Sequence, residues 1–464
     1  MKNIILNIFS LLLIGLSANS QTKVYYVALK KDVKIPALPI KEYKGEKGQT
    51  LGEKIAVYPD IEFQEITGIG GAFNEIGGLA LMSLPEESRE NVMSNLFSKD
   101  QAQFSFCRTA IGASDFGTNA YSYAEVPNDY AMEHFSIKRE EKSVIPYIKL
   151  AQKYNPNLKL FASPWSPPGW MKYSGLMDQG KENAAENKLK DDPKIYKAYA
   201  SYFAKYVSAY KKEGIDVHKI LIQNETDIST KYPSCVMQPE QMYKFIASYL
   251  RPEFDDKNIK TEIWAGTFRT YGALDALEFA NKDAYLNVVD GIGIQYTNTK
   301  FISDMNLLVN NKPTMHTEGV CYNGKNTVEQ AFKRLGEVAS YINYGISNYC
   351  YWNMVLNETG ESGWNWKQNS LINIDREKQE VTYNPDYAVM ALLSKYMQPG
   401  AKRIASFSKG TIISLKKDNT VFLFVQNKTN TAKNYQCVEK GETVAIATIP
   451  ANSVAVITYN SKKL

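Results

Sequence analysis

Histidine is almost absent from this chain: there are three in 464 residues, His134, His218 and His316. None falls in an HxH or HExxH spacing, so a histidine-based zinc site has almost no material. Cysteine is also sparse. The five, Cys107, Cys235, Cys321, Cys350 and Cys437, are scattered and odd in number, which argues against a disulfide framework while leaving one bridge open. Charge of either sign is not in excess: 54 basic residues face 49 acidic ones, with no long basic run, so nucleic acid is not an expected partner. Internal repeats and low-complexity linkers are missing too. The glycine-rich string GIGGAFNEIGG lacks the Walker lysine and a doubly wound context, so its glycines read as close packing at a barrel rim.

Long apolar runs are equally scarce. The one near the start, Ile4 to Leu16, is shorter than the roughly 20 residues a spanning helix needs. It follows Lys2 and precedes the small residues Ala18 and Ser20, so residues 1–20 are expected to be a cleavable signal peptide. No cysteine lies close enough for a lipoprotein signal. The expected protein is therefore secreted or periplasmic, without a membrane anchor.

What the chain has is enough apolar material, 44% hydrophobic and 12% aromatic, to bury one large core beside a smaller module. Short apolar runs alternate with longer helical patterns, the sign of βα units. Eight runs can be counted: ITGIGGAF from Ile66, FSFCRTAIG from Phe104, LKLFASPW from Leu158, VHKILIQNE from Val217, TEIWAGT from Thr261, VDGIGIQYT from Val289, KPTMHTEG from Lys312 and ISNYCYWNMVL from Ile346. They predict an α/β fold, a (β/α)8 TIM barrel over residues 63–398. Tyr196, Tyr199, Phe203, Tyr206 and Tyr210, three and four apart, make one helical stripe ending at Gly214, and packing against the barrel is its expected role rather than a sugar platform. A second amphipathic helix is expected from Val328 to Tyr344. From Arg403 the runs become short and alternating, as in antiparallel strands. Residues 21–62 hold too few strands to stand alone. They are expected to join residues 399–464 in a side β-sandwich formed from both termini.

In such a barrel the chemistry sits at the C-terminal ends of strands. The fourth run ends in Asn224 and Glu225, and the seventh ends in Glu318. Two carboxyl groups facing across a cleft are what glycosidic cleavage uses: one donates a proton to the leaving oxygen, and the other attacks or positions water. The plainer reading of either residue alone is a structural ion pair. Their matching positions and surroundings favour the chemical one. Trp165 ends the third run inside SPWSPPGW, where prolines can hold an indole rigidly over a cleft. Asp115 lies just past the second run, where a carboxylate can bind sugar hydroxyls. Arg108, inside that run, is expected in a buried Arg–Asp pair.

Taken together, GIGGAFNE, RTAIGASDF, VPNDYAMEHFSI from Val126, FASPWSPPGWMK, IQNE followed by YPSC from Tyr232, HTEG, YWNMVLN and SKYMQPGAKRI resemble glycoside hydrolase family 30. That family includes glucosylceramidases, β-1,6-glucanases and some xylanases, and the resemblance covers nearly everything after the leader. It implies a barrel fused to a side sandwich and hydrolysis by double displacement with retention, with no metal or organic cofactor. It implies Glu225 as acid/base, Glu318 as nucleophile, and Asn224 as a partner of the sugar 2-hydroxyl. Asp115, Trp165, Trp352 and Asn369 match positions lining the first sugar subsite. Two departures stand out. Thr226 follows the acid/base where many members have Pro, and Gln295, Tyr296 and Thr297 stand where the sixth run usually ends His-Trp-Tyr. Gln295 can still hydrogen-bond there and Tyr296 can still stack on substrate. The stretch GWNWKQNSLINID from Gly363 resembles members acting on β-glucans. The expected partner is thus a β-linked oligo- or polysaccharide, with β-1,6-glucan ahead of glucosylceramidase-like, β-glucosidase or xylanase-like activity. A catalytically inactive glycan-binding barrel is the alternative of another class; it predicts a missing carboxylate, and both are present.

Overall fold

The computed structural model describes residues 22–45, 52–269, 273–309, 312–320 and 322–461. The expected leader and Cys321 lie outside the described residues; Cys107, Cys235, Cys350 and Cys437 are buried and unpaired with one another.

Eight parallel strands make the central sheet: Gly68–Phe73, Phe106–Ala110, Lys159–Ser163, Val217–Leu221, Glu262–Phe268, Gly291–Ile294, Thr314–His316 and Asn348–Asn353. Each hydrogen-bonds its sequence neighbour, and the eighth pairs with the first. A bridge between Gly319 and Tyr351 joins seventh to eighth and closes the barrel. The strands are buried on both faces, which is why they read as continuous apolar runs instead of alternating ones. Phe106, Phe161, Leu221, Trp264, Met315 and Cys350, from six different strands, form one packed cluster that plugs the interior. The glycines of the first strand pack as expected. A Cβ on Gly70 would come within 2.3 Å of the Phe106 carbonyl oxygen, and one on Gly71 within 2.4 Å of Met354.

The tyrosine-striped helix is Pro193–Lys212, capped by Asp192, whose side chain accepts from the Lys194 amide at 2.7 Å. All five stripe rings are buried against the barrel, so the stripe is core and not a sugar platform. The helix after the seventh strand, Val328–Ile342, opens on a capping box of Thr327 and Gln330 and ends two residues before the expected Tyr344.

Both termini build the second module, one nine-stranded sheet. Its order runs Glu442–Ile449, Lys433–Glu439, Glu53–Glu65, Lys402–Phe407, Ile413–Lys417, Thr420–Asn427, Ser453–Asn460, Lys23–Ala28 and Lys41–Glu42. The sheet curls so that Glu442–Ile449 packs over Lys23–Ala28 and Ser453–Asn460. Ile55, Val57, Leu423, Cys437, Ile449 and Ile457 fill the space between, giving the two-layer sandwich its own core.

Candidate active site

The fourth strand continues as an extended segment past Leu221. The Gln223 amide donates to the Gly266 carbonyl and the Asn224 amide to the Pro164 carbonyl, which carries Asn224 and Glu225 above the barrel mouth. Glu225 itself turns back with φ +46, a conformation that side-chain-bearing residues rarely hold unless their surroundings impose it. Its amide donates to Thr267 Oγ1 at 3.2 Å. Glu318 sits two residues beyond the seventh strand. Both carboxyls are buried, at 8% and 5% exposure, too deep for ordinary solvated ion pairs.

Arg108 joins them. From the second strand it points along the barrel interior, fully buried, and donates to Glu318 Oε2 at 2.6 Å, Ser163 Oγ at 2.6 Å, Asn224 Oδ1 at 2.8 Å and the Thr317 carbonyl at 3.2 Å. Its guanidinium lies 4.4 Å from the Trp165 ring centroid. The expected Arg108–Asp115 pair is therefore incorrect. Asp115 lies in the loop past the strand end, whereas an inward side chain at Arg108 reaches across the barrel axis to the seventh strand. Tyr296, also at positive φ, donates its hydroxyl to Glu318 Oε1 at 2.9 Å. Both oxygens of Glu318 are thus held by donors.

A guanidinium has no acceptor, so the amide of Asn224 must turn its oxygen to Arg108. Thr267 Oγ1 donates to the same oxygen at 3.1 Å, so these contacts all fall on Oδ1 and none on Nδ2. Gln295, fully buried, donates from Nε2 to Glu225 Oε1 at 3.2 Å and accepts on Oε1 from Thr317 Oγ1 at 2.7 Å. Arg269 lies 4.0 Å from Glu225 Oε1 and 3.1 Å from Asp227 Oδ1.

These surroundings set the protonation of the site. Burial first, and then the negative charge of Glu318, push the Glu225 carboxyl up to about 7, against the opposing pull of Arg269 and Gln295. Asp115 is also raised well above its ordinary range, by burial and then by the charges of Glu318 and Glu225. The Trp352 indole lies close enough to favour its carboxylate, yet closes no hydrogen bond of good geometry. Burial, then the nearby Arg108 charge, lowers His316 to about 3. It stays neutral, stacked on Tyr349 with centroids 4.2 Å apart, and is part of the barrel wall.

The aromatic residues converge as expected. Trp165 and Trp352 stack at 5.0 Å beside Phe116, with Tyr232 and Trp366 packed against the same cluster. Trp170 instead donates to the Ala124 carbonyl at 2.9 Å and packs edge-on against Tyr130 in the second loop. Asn369 is buried, its Nδ2 on Gln330 and its Oδ1 without a partner; its carbonyl accepts from Asn353, next to Trp352. Buried polar atoms left open in this way, on Asp115, Trp352 and Asn369, suit a polyhydroxylated ligand. Among the described residues, no three His, Cys, Asp or Glu side chains are grouped to hold a metal ion, and no helix is long and apolar enough to cross a membrane.

Comparison with known proteins agrees with this fold. The family model for the Glycosyl hydrolase family 30 TIM-barrel domain matches residues 66–409. "Putative glucosylceramidase 3" of Caenorhabditis elegans is 28% identical over 434 residues, 86% of this chain and 79% of that protein. "Endo-1,6-beta-D-glucanase neg1" of Aspergillus fumigatus is 31% identical over 215 residues, 44% of this chain and 43% of that protein. The solved structure of "The endo-beta1,6-glucanase BT3312" superposes with a TM-score of 0.82 at 21% identity, covering 95% of this chain and 99% of that one, a likeness of fold. The chain belongs to glycosyl hydrolase family 30.

Proposed function

We propose that this protein is a secreted, retaining β-glycosidase in which Glu225 is the acid/base and Glu318 the nucleophile. The observation that carries this reading is the contrast between two buried strand-end carboxyls. Glu225 is pushed up to about 7, so it holds a proton for donation near neutrality. Glu318 is gripped through both oxygens by Arg108 and Tyr296, which fixes the attacking group.

In the first step Glu225 gives its proton to the glycosidic oxygen as Glu318 attacks the anomeric carbon, so the leaving alcohol departs and a glycosyl-enzyme ester forms. Formation of the ester removes the Glu318 charge, the second cause of the raised Glu225 pKa. Glu225 then becomes the stronger acid and, as carboxylate, accepts a proton from the water that hydrolyses the ester. Asn224 Nδ2 is placed for the sugar 2-hydroxyl. Asp115, Trp165, Trp352, Asn369 and Tyr296 line the ring that is cleaved off.

For substrate we favour β-1,6-glucan, supported by the β-glucan-like loop from Gly363 and by the similarity to two proteins named β-1,6-glucanases. A glucosylceramidase-like exo-β-glucosidase is the second reading, favoured by relatives of that name that align over most of their length. Incubation with β-1,6-glucan, β-1,3-glucan, xylan and aryl β-glucosides, followed by NMR of the first-formed products, tests both. Oligosaccharides of β configuration from β-1,6-glucan are expected. Products of α configuration would end the retaining assignment, and exclusive action on aryl glucosides would favour the second reading. Secretion is tested by N-terminal sequencing of the exported protein, where an intact Met1 would refute a cleaved leader.

A further inference from the structure

The two carboxyls are joined by one hydrogen-bond chain. Arg108 donates to Glu318 on one side and to Asn224 Oδ1 on the other. Gln295 Nε2 faces that same oxygen at 3.5 Å and donates to Glu225 Oε1 at 3.2 Å. The direction of the chain is fixed at its source. Arg108 can only donate, so Asn224 presents its oxygen, and a flipped Gln295 would set its own oxygen against that of Asn224. The amide of Gln295 is therefore polarised with its N–H toward Glu225, and Thr317 holds the opposite end.

We propose that Gln295 is the positioning residue of the acid/base: its amide, oriented by Arg108 through Asn224, holds Oε1 of Glu225 and leaves Oε2 as the oxygen that carries the transferable proton. This rests on the reading of Glu225 as acid/base. A proton on Oε1 would meet the Gln295 N–H head-on, with the Arg269 guanidinium 4.0 Å from the same oxygen. A proton on Oε2 meets neither. The groups that charge this corner are Glu318 from the seventh strand, Asp115 from the second loop, Arg269 past the fifth strand and Asp227 on the same loop as Glu225. Gln295 is uncharged and does not titrate, so its N–H remains on Oε1 in both the acid form and the base form. It favours the carboxylate, which counteracts the upward push of burial and of Glu318.

The test compares Gln295→Met, which has similar length and no donor, with Gln295→Glu, which keeps the shape and adds an acceptor. Each is assayed as kcat/KM against pH on aryl β-glucosides spanning leaving groups from acidic to weakly acidic phenols, with thermal melting recorded for both. In Gln295→Met the basic limb is expected to move up by about one pH unit, and in Gln295→Glu further, because a donor to the carboxylate is lost and then a like charge added. Loss of rate is expected to grow with the basicity of the leaving group, by about tenfold across the series, because only poor leaving groups depend on a well-aimed proton. A residue that merely supports the fold would lower all substrates equally and leave the limb in place. Either of those two results overturns the proposal. Should Gln295→Met fail to fold, the isosteric Gln295→Glu decides alone. Glu225→Ala is run beside them. If it retains full activity on weakly acidic phenols, the acid/base reading itself falls, whereas an inactive Glu225→Ala with unmoved Gln295 variants removes only this inference.

Discussion

Arg108 offers the sharpest test of how the site is held. Its guanidinium is fully buried and makes four hydrogen bonds, the shortest two at 2.6 Å. Replacing it by Met removes all four and leaves the Glu318 carboxylate buried without its cationic partner. Breaking a buried pair from one side costs about 3–5 kcal/mol, because the remaining charge has lost both solvent and partner. Arg108→Met should therefore lower the unfolding free energy by about 4 kcal/mol. Most of that should vanish in a Glu318→Gln background, where no charge is stranded. The double-mutant coupling is then expected near 2–3 kcal/mol, the upper range for directly bonded residues. Urea unfolding followed by tryptophan fluorescence on the parent, both single variants and the double variant measures it. Arg108→Lys keeps the charge but not the planar fork that spans four acceptors. It should fold, yet lose on the order of 100-fold in kcat through misplacement of Glu318 and Asn224. A cost below about 1 kcal/mol for Arg108→Met, or strict additivity with Glu318→Gln, would refute the view that this pair organises the site.

Other outcomes follow from the same geometry. Azide added to Glu318→Ala should yield the α-glycosyl azide, and added to Glu225→Ala the β-glycosyl azide; NMR of the products reads this directly, and the reverse pattern would exchange the two roles. The parent kcat/KM should fall on the basic side with a midpoint near 7, where Glu225 loses its proton, and a profile flat from pH 6 to pH 9 would contradict that assignment. Tyr296→Phe should fold normally and lower kcat by about tenfold, since one hydrogen bond to a charged group is lost, and unchanged kcat would remove Tyr296 from the site. Glu140 is a control away from the chemistry. Fully buried among the hydroxyls of Tyr121, Tyr123 and Tyr210, it is raised by burial from 4.5 to about 7. The folded state binds its proton more tightly than the unfolded chain, so stability is greatest below about 4.5 and falls by about 3 kcal/mol as pH rises to 7, then levels off. Glu140→Gln should remove its own share of the slope in unfolding free energy between pH 4.5 and pH 7, leaving that of Glu225, which is raised over the same window.

The barrel was legible because parallel strands buried on both faces leave an unusual trace, short apolar runs alternating with helical patterns. The side sandwich was legible for the opposite reason: strands such as Glu53–Glu65 alternate buried and more exposed residues along part of their length. The tyrosine stripe was read correctly as packing because its three- and four-residue spacing places every ring on one face of a helix. Glu225 and Glu318 stood out as acidic residues just past the ends of two apolar strands, and their matching positions and surroundings made them a pair.

Side-chain partnership across the barrel axis had no such trace. Arg108 was visible as a charge inside a strand, but strand spacing says only that it points inward, not whether Asp115 or Glu318 receives it. That choice depends on the circular order of strands, which sets the second three places from the seventh across the barrel interior, and on the length of the arginine side chain. Gln295 shows the same limit from the other side. As a sequence feature it is a departure at the end of the sixth run, and its capacity to hydrogen-bond says nothing of which atom will donate. Only the chain from a donor-only guanidinium through Asn224 settles that its N–H faces Glu225. On the reading proposed above, the polarity of Glu225 is thus set by a residue on the second strand that also touches Glu318. A substitution at Arg108 should accordingly disturb both carboxyls, while one at Gln295 disturbs Glu225 alone.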